Sequence, residues 1–120
     1  MKLVYICAPY AGDIPRNTAL TRAYCAAAVA EGAAPMSSAL LFTQFLDDSD
    51  PKQREIGLAM GLKLLCRCDE LWLCTEHISP GMQRELEQAE LAGIPVQDRS
   101  QDWQYITMGG ADACTFTPQT

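Results

Sequence analysis

The stretch that most constrains this chain is an apolar run, Leu71-Trp72-Leu73-Cys74, followed by a helix signal and then by Ile94-Pro95-Val96. Ser79 is a favoured N-cap residue and Pro80 suits the first helical position, so the spacing predicts a helix from there to about Ala92. Gly93 then supplies the left-handed residue on which helices commonly stop. Strand, loop, helix and strand make one βαβ unit, and its parallel strands require a sheet covered on both faces.

The rest of the chain extends that pattern. Leu3 to Cys7 is a short continuous apolar run, as expected of a strand buried on both sides. Residues 8–16 carry the punctuation of a loop, and Asn17 is placed to cap a helix ending near Gly32. Ala33 to Ser37 is a second strand, and Leu40 to Leu46 a short helix or ordered loop. After the polar break at 47–50, Asp50 caps a second long helix with Pro51 at its first position, running to about Arg67. Between Glu55 and Arg67 only Lys63 is charged, so this helix is apolar on more than one face. One face can pack on the sheet; the other predicts a homodimer through the 51–67 helix. Glu70–Cys74 and Ile94–Gln97 are the third and fourth strands, Trp103–Met108 a possible fifth, and Gly109–Thr120 a tail. The expectation is an α/β fold: one domain over residues 1–98 built on a doubly wound parallel sheet of four to five strands, flavodoxin-like in three layers, with 99–120 appended. Ligands of such sheets bind at the C-terminal strand ends, where loops 8–16, 37–48 and 75–81 meet.

Composition narrows the partners. A net charge of −6 with no run of Lys or Arg argues against a nucleic-acid polymer or an anionic membrane, but leaves room for a small anionic ligand held by local groups. No stretch approaches the ~20 apolar residues of a membrane span, and the Met1–Cys7 run is too short for a signal peptide. The six cysteines fall mostly inside predicted elements, which fits reduced core residues of a cytoplasmic protein. Cys66-Arg67-Cys68 is not a zinc spacing and His77 is the single histidine, so no metal is expected. No phosphate loop or dinucleotide fingerprint follows the first strand, so no cofactor is expected either.

Glu85 lies one helical turn after Gly81 on the same face, so its side chain leans back across bare backbone toward the helix N-terminus. Unpaired N–H groups there attract an anion, and Ser79 adds a hydroxyl. On spacing alone, Glu85 also keeps the company of a solvated face, among Arg84, Glu87 and Glu90. Arg16, just past the first loop, is a candidate for reaching a phosphate, and His77 a weaker one.

Three segments, Tyr5-Ile6-Cys7-Ala8-Pro9-Tyr10, Cys68-Asp69-Glu70-Leu71-Trp72-Leu73 and Ser79-Pro80-Gly81-Met82-Gln83-Arg84-Glu85 with Ala89 and Gly93-Ile94-Pro95, together resemble the nucleoside 2-deoxyribosyltransferase superfamily. Within it they are most similar to a branch of small bacterial and phage proteins. The resemblance spans roughly residues 3–97. It implies that Glu85, spaced from Ala89 and Gly93 as in those enzymes, is the nucleophile toward C1′ of a 2-deoxyribosyl group. It implies that Tyr5 orients Glu85, and that Pro9, Tyr10, Ser79 and Gly81 sit around the substrate. Attack would give a glycosyl-enzyme resolved by water or a second base, the logic of a retaining glycosidase. From the residues alone, Tyr5 is equally a core aromatic and Ser79 equally a plain helix cap.

Two departures matter. Where the transferases carry an Asp six residues before the nucleophile, this chain has Ser79, as do the related 2′-deoxynucleoside 5′-phosphate N-hydrolases. A hydroxyl can donate to a phosphate that an Asp would repel, so the resemblance favours a nucleotide over a nucleoside. The superfamily's acid for the leaving base falls at Gly61 here, leaving Asp47, Asp48, Asp50 and Glu55 as possible replacements. The expected activity is N-glycosidic cleavage or deoxyribosyl transfer. The alternative is a protein that binds or sequesters a nucleotide-like ligand without turnover.

Overall fold

The computed structural model describes residues 1–102. In chain order these form β1 (Leu3–Cys7), α1 (Ile14–Ala30), β2 (Ala34–Met36), α2 (Ser38–Leu41) leading into a 3₁₀ turn at Phe42–Gln44, α3 (Pro51–Leu65), β3 (Glu70–Leu73), α4 (Pro80–Leu91), β4 (Val96–Asp98) and a 3₁₀ turn at Ser100–Asp102. The candidate fifth strand at Trp103–Met108 and the tail beyond it lie outside the described residues. The sheet is parallel throughout, in the order β2-β1-β3-β4. The chain therefore winds outward from β1 to one edge, returns, and winds outward from β3 to the other. The point where direction reverses lies between β1 and β3, whose following loops form the crevice in which such sheets hold ligands.

Alternation along β1 decides what each layer receives. Val4 and Ile6 join Tyr24 and Ala28 of α1, together with Trp72 and Cys74, in one core. Tyr5 and Cys7 point the opposite way, into a second core with Leu65 of α3 and Met82 and Ala89 of α4. The result is a three-layer α/β sandwich with α1 on one face and α3 and α4 on the other. Pro35 is tolerated in β2 because that strand lies at the sheet edge.

The first helix begins earlier than its sequence suggests. Asp13, not Asn17, is the N-cap, its side chain accepting from the Arg16 N–H, and Pro15 falls in the first turn where no N–H is needed. Asn17 instead donates its side-chain amide to the Tyr10 and Ala11 carbonyls at 3.1 and 3.0 Å, pinning the loop after β1. Helix α3 turns Gly61 and Leu65 inward, whereas Ile56 remains 51% exposed. Among the described residues, no helix is long and apolar enough to cross a membrane.

Candidate active site

The site is assembled by β1 and α4. Met82, Glu85 and Ala89 recur at helical spacing on the buried side of α4, facing the Tyr5 and Cys7 side of the sheet. That stripe carries Glu85 inward, to 9% exposure, instead of out among Glu87 and Glu90. The Tyr5 hydroxyl donates to Glu85 Oε2, and the Cys7 thiol approaches Oε1 at 3.5 Å. With the Tyr5 proton so engaged, the Ser38 hydroxyl, 2.7 Å away, is the donor to Tyr5 Oη. Serine, tyrosine and glutamate thus form a chain of hydrogen bonds that ends on the carboxylate.

These donors are neutral. Burial pushes the Glu85 carboxyl up to about 7, while the bonds from Tyr5 and Cys7 pull it down. Burial, and secondly the charge of Glu85, raise Tyr5 and Cys7 well above their ordinary values, so both stay protonated and able to donate.

Glu85 forms part of the wall of a cavity of about 120 Å³. That is well above the roughly 10–15 Å³ needed to admit a single water, so the hollow has room for more than one. The loop Ala8–Ala11 closes one side, and Ser38, Phe42 and Thr43 another. Asp48, Arg54 and Leu58 come from the α3 side, and Ser79, Gly81 and Met82 from the start of α4.

The helix end itself differs from expectation. Ser79 Oγ accepts from the Met82 N–H at 3.2 Å, and the Ser79 carbonyl accepts from Gln83 N–H at 2.9 Å. Pro80 has no N–H, so Gly81 is left with the one N–H of the first turn that finds no partner among the described residues. Gly81 also does not leave bare backbone. A Cβ built there would lie 3.3 Å from Leu58 Cδ2, so glycine at this position lets α3 pack close.

Of the residues singled out from the sequence, Pro9, Tyr10, Ser79, Gly81 and Glu85 line this one cavity, and Tyr5 stands behind Glu85. Arg16 does not join them. Because α1 begins at Ile14, Arg16 is carried on the helix into a neighbouring depression of about 380 Å³, with Asp13, Asn17 and His77. The two hollows share Pro9 and Ser79.

Four residues of the site escaped the sequence reading or were left unresolved by it. Cys7 lies two residues after Tyr5 on the same strand, which fixes it to the same face and was a readable signal. Ser38, on α2, and Arg54, on α3, are joined to the site only through tertiary packing. Asp48 is the one of the four available carboxylates that lines the cavity. Asp47 binds Ser49, Asp50 caps α3 through Lys52 N–H, and Glu55 pairs with Arg84 at 3.3 Å.

Gly61 faces the heart of the network. A Cβ there would stand 3.1 Å from Tyr5 Oη and 3.2 Å from Ser38 Cβ, so Ser38 and Gly61 fit each other. An acid at position 61 would have to displace the donor to Tyr5.

A domain family of unknown function, DUF7768, matches residues 2–99, and the chain belongs to it. No curated protein matches the chain.

Proposed function

We propose that this protein cleaves or exchanges the N-glycosidic bond of a 2-deoxyribosyl compound, a nucleoside or nucleotide, with Glu85 as nucleophile. The observation that carries this reading is the seat of Glu85. It is a carboxylate removed from solvent, oriented by neutral donors on both oxygens, and set in the wall of a cavity of about 120 Å³. A neutral seat keeps the carboxylate basic and nucleophilic, where a paired cation would quench it. In the ionised form, one Glu85 oxygen bonds to C1′ while the C1′–N bond breaks, and the base departs with that electron pair and takes up a proton. Asp48, the other carboxylate in the wall, is the group we assign to position the water that delivers it, the resulting hydroxide being neutralised by solvent. Water or a second base then attacks C1′ and frees Glu85.

A second reading is favoured by Gly61. With no acid at that position, the same cavity would hold its ligand without turnover. Incubation with 2′-deoxynucleosides and their 5′-monophosphates, with chromatographic detection of free base, separates the two. Release that disappears in Glu85→Gln supports the enzyme. A ligand recovered intact at stoichiometric protein, bound equally by Glu85→Gln, selects the binding protein.

We also propose that two copies pair through α3, on which Ile56 is 51% exposed. Sedimentation of wild type and Ile56→Glu tests it, and a monomeric wild type refutes it.

A further inference from the structure

We infer that Arg54 is the specificity residue of this cavity, seating an anionic group of the ligand, a phosphate monoester, beside the first turn of α4. The inference rests on the proposed site and extends it by naming the ligand class. Arg54 is the one cation among the residues lining the Glu85 cavity, whose other formal charges are the carboxylates of Asp48 and Glu85. It enters no ion pair among the described residues, although Arg84 and Arg99 both do.

Its place follows from the helix period. Leu58 packs against Gly81, and Arg54 precedes Leu58 by one turn on the same face of α3, so it stands on the outward side of that contact. The neighbouring Glu55–Arg84 pair ties the same two helices together at this level. A guanidinium here shares the cavity wall with Ser79 and Gly81 at the start of α4.

Those two groups alone make a weak anion site, because the Met82 and Gln83 N–H groups are already taken by Ser79. A dianion approaching a cavity with two carboxylates, in a chain of net charge −6, needs a compensating cation. A neutral nucleoside has no such requirement. Arg16 is the competing cation. It reaches Ser79 from the neighbouring hollow and does not line the one that holds Glu85.

The test is binding, measured by calorimetry on wild type, Arg54→Gln and Arg16→Gln. The probes are a set of 2′-deoxynucleoside 5′-monophosphates and the matching nucleosides. Wild type is expected to prefer the monophosphate, with a preference that falls as salt rises. Arg54→Gln should weaken monophosphate binding about 10- to 100-fold more than nucleoside binding, the range of a charge-assisted hydrogen bond. Arg16→Gln should change that ratio less than about twofold.

Equal weakening of both ligands in Arg54→Gln overturns the inference, as does loss of the preference in Arg16→Gln. So does a wild type that does not discriminate. The outcome is separable from that of the catalytic reading. Monophosphate binding that depends on Arg54, without release of base, sinks the chemistry and leaves the anion seat. Release of base at equal rates from nucleoside and nucleotide does the reverse. Because Arg54 is exposed, Arg54→Gln is expected to fold, and an unchanged melting temperature verifies it.

Discussion

Two glutamates are buried in this protein to nearly the same extent, Glu70 at 7% and Glu85 at 9% exposure, and they are treated in opposite ways. Glu70 opens β3 and is surrounded by donors. Lys2 Nζ lies at 3.2 Å, Trp72 Nε1 at 3.0 Å and Gln97 Nε2 at 3.3 Å. Its charge is spent on joining the residue just before β1 to β3 and β4, and Trp72 is held in turn by Arg99, 3.9 Å above its ring. Among the described residues, Glu85 has a phenol and a thiol as partners, no cation paired with it, and a cavity in front of it. The first arrangement ties neighbouring strands together; the second leaves a carboxylate facing open space, which is what the proposed role of Glu85 requires.

The largest expected effect separates them by function. Glu85→Gln should lower turnover at least about 10³-fold, because the amide cannot form the glycosyl-enzyme. Glu70→Gln should leave turnover within a few-fold of wild type but cost about 1–3 kcal/mol of stability, since a charged acceptor of three bonds is lost. Melting curves and single-turnover assays on both variants check this. If Glu70→Gln stops the reaction while Glu85→Gln does not, the assignment is reversed.

Stability as a function of pH sharpens the contrast. The Glu85 carboxyl, with an ordinary value of 4.5, is raised to about 7 by burial, so between those values the folded state holds a proton that the unfolded state has released. Stability from this group is therefore fully present below about 4.5 and is lost as pH rises through about 7, a loss of roughly 3 kcal/mol. Glu85→Gln should flatten that slope and make the variant more stable than wild type at pH 8, the opposite sign to Glu70→Gln. On the proposed mechanism, turnover should climb over the same interval, since it needs Glu85 in the ionised form. Urea titrations at pH 5 and pH 8 measure the first, and a pH–rate profile the second. A wild type that gains stability between pH 5 and pH 8 while Glu85→Gln stays flat would contradict the burial argument.

An intermediate effect is expected at Gly61. Gly61→Ala places a methyl 3.1 Å from Tyr5 Oη and 3.2 Å from Ser38 Cβ, so one of them must give by a few tenths of an ångström, and the packing cost of about 1–3 kcal/mol is offset in part by the roughly 1 kcal/mol that alanine gains over glycine within a helix. Gly61→Asp should not improve turnover, because the space it needs belongs to Ser38. A more active Gly61→Asp would mean that the site had lost an acid and can take it back.

How much of this was legible depends on how local each signal was. The parallel sheet and three-layer architecture followed from apolar runs alternating with capped helices, and Ser79, Pro80 and Gly93 marked their helix ends correctly. Glu85 was nameable from its spacing to Gly81 and Tyr5 only through a family resemblance, and only the packed structure brings them into contact. The start of α1 was misread because Asp13 and Pro15 punctuate a loop and begin a helix with the same residues, and Arg16 went astray with it. Ser38 and Arg54 carry no local signature. What makes them part of the site is a strand and a helix that lie far from them in sequence.

The smallest effect tests the far end of the network. The Ser38 hydroxyl lines the cavity but is bonded to Tyr5 and not to Glu85, so it is expected to act through Tyr5. Ser38→Ala removes one hydrogen bond to a buried phenol, so the stability cost should be about 0.5–1.5 kcal/mol. Turnover should fall only about three- to tenfold, because Tyr5 can still donate to Glu85 without its own donor. The informative reading is the pH–rate profile. With Ser38 gone, Tyr5 Oη holds more of its own charge and becomes a weaker donor, so Glu85 is stabilised less in its ionised form. Its apparent pKa should therefore move upward, whereas a serine that merely fills space would lower the rate without moving the profile.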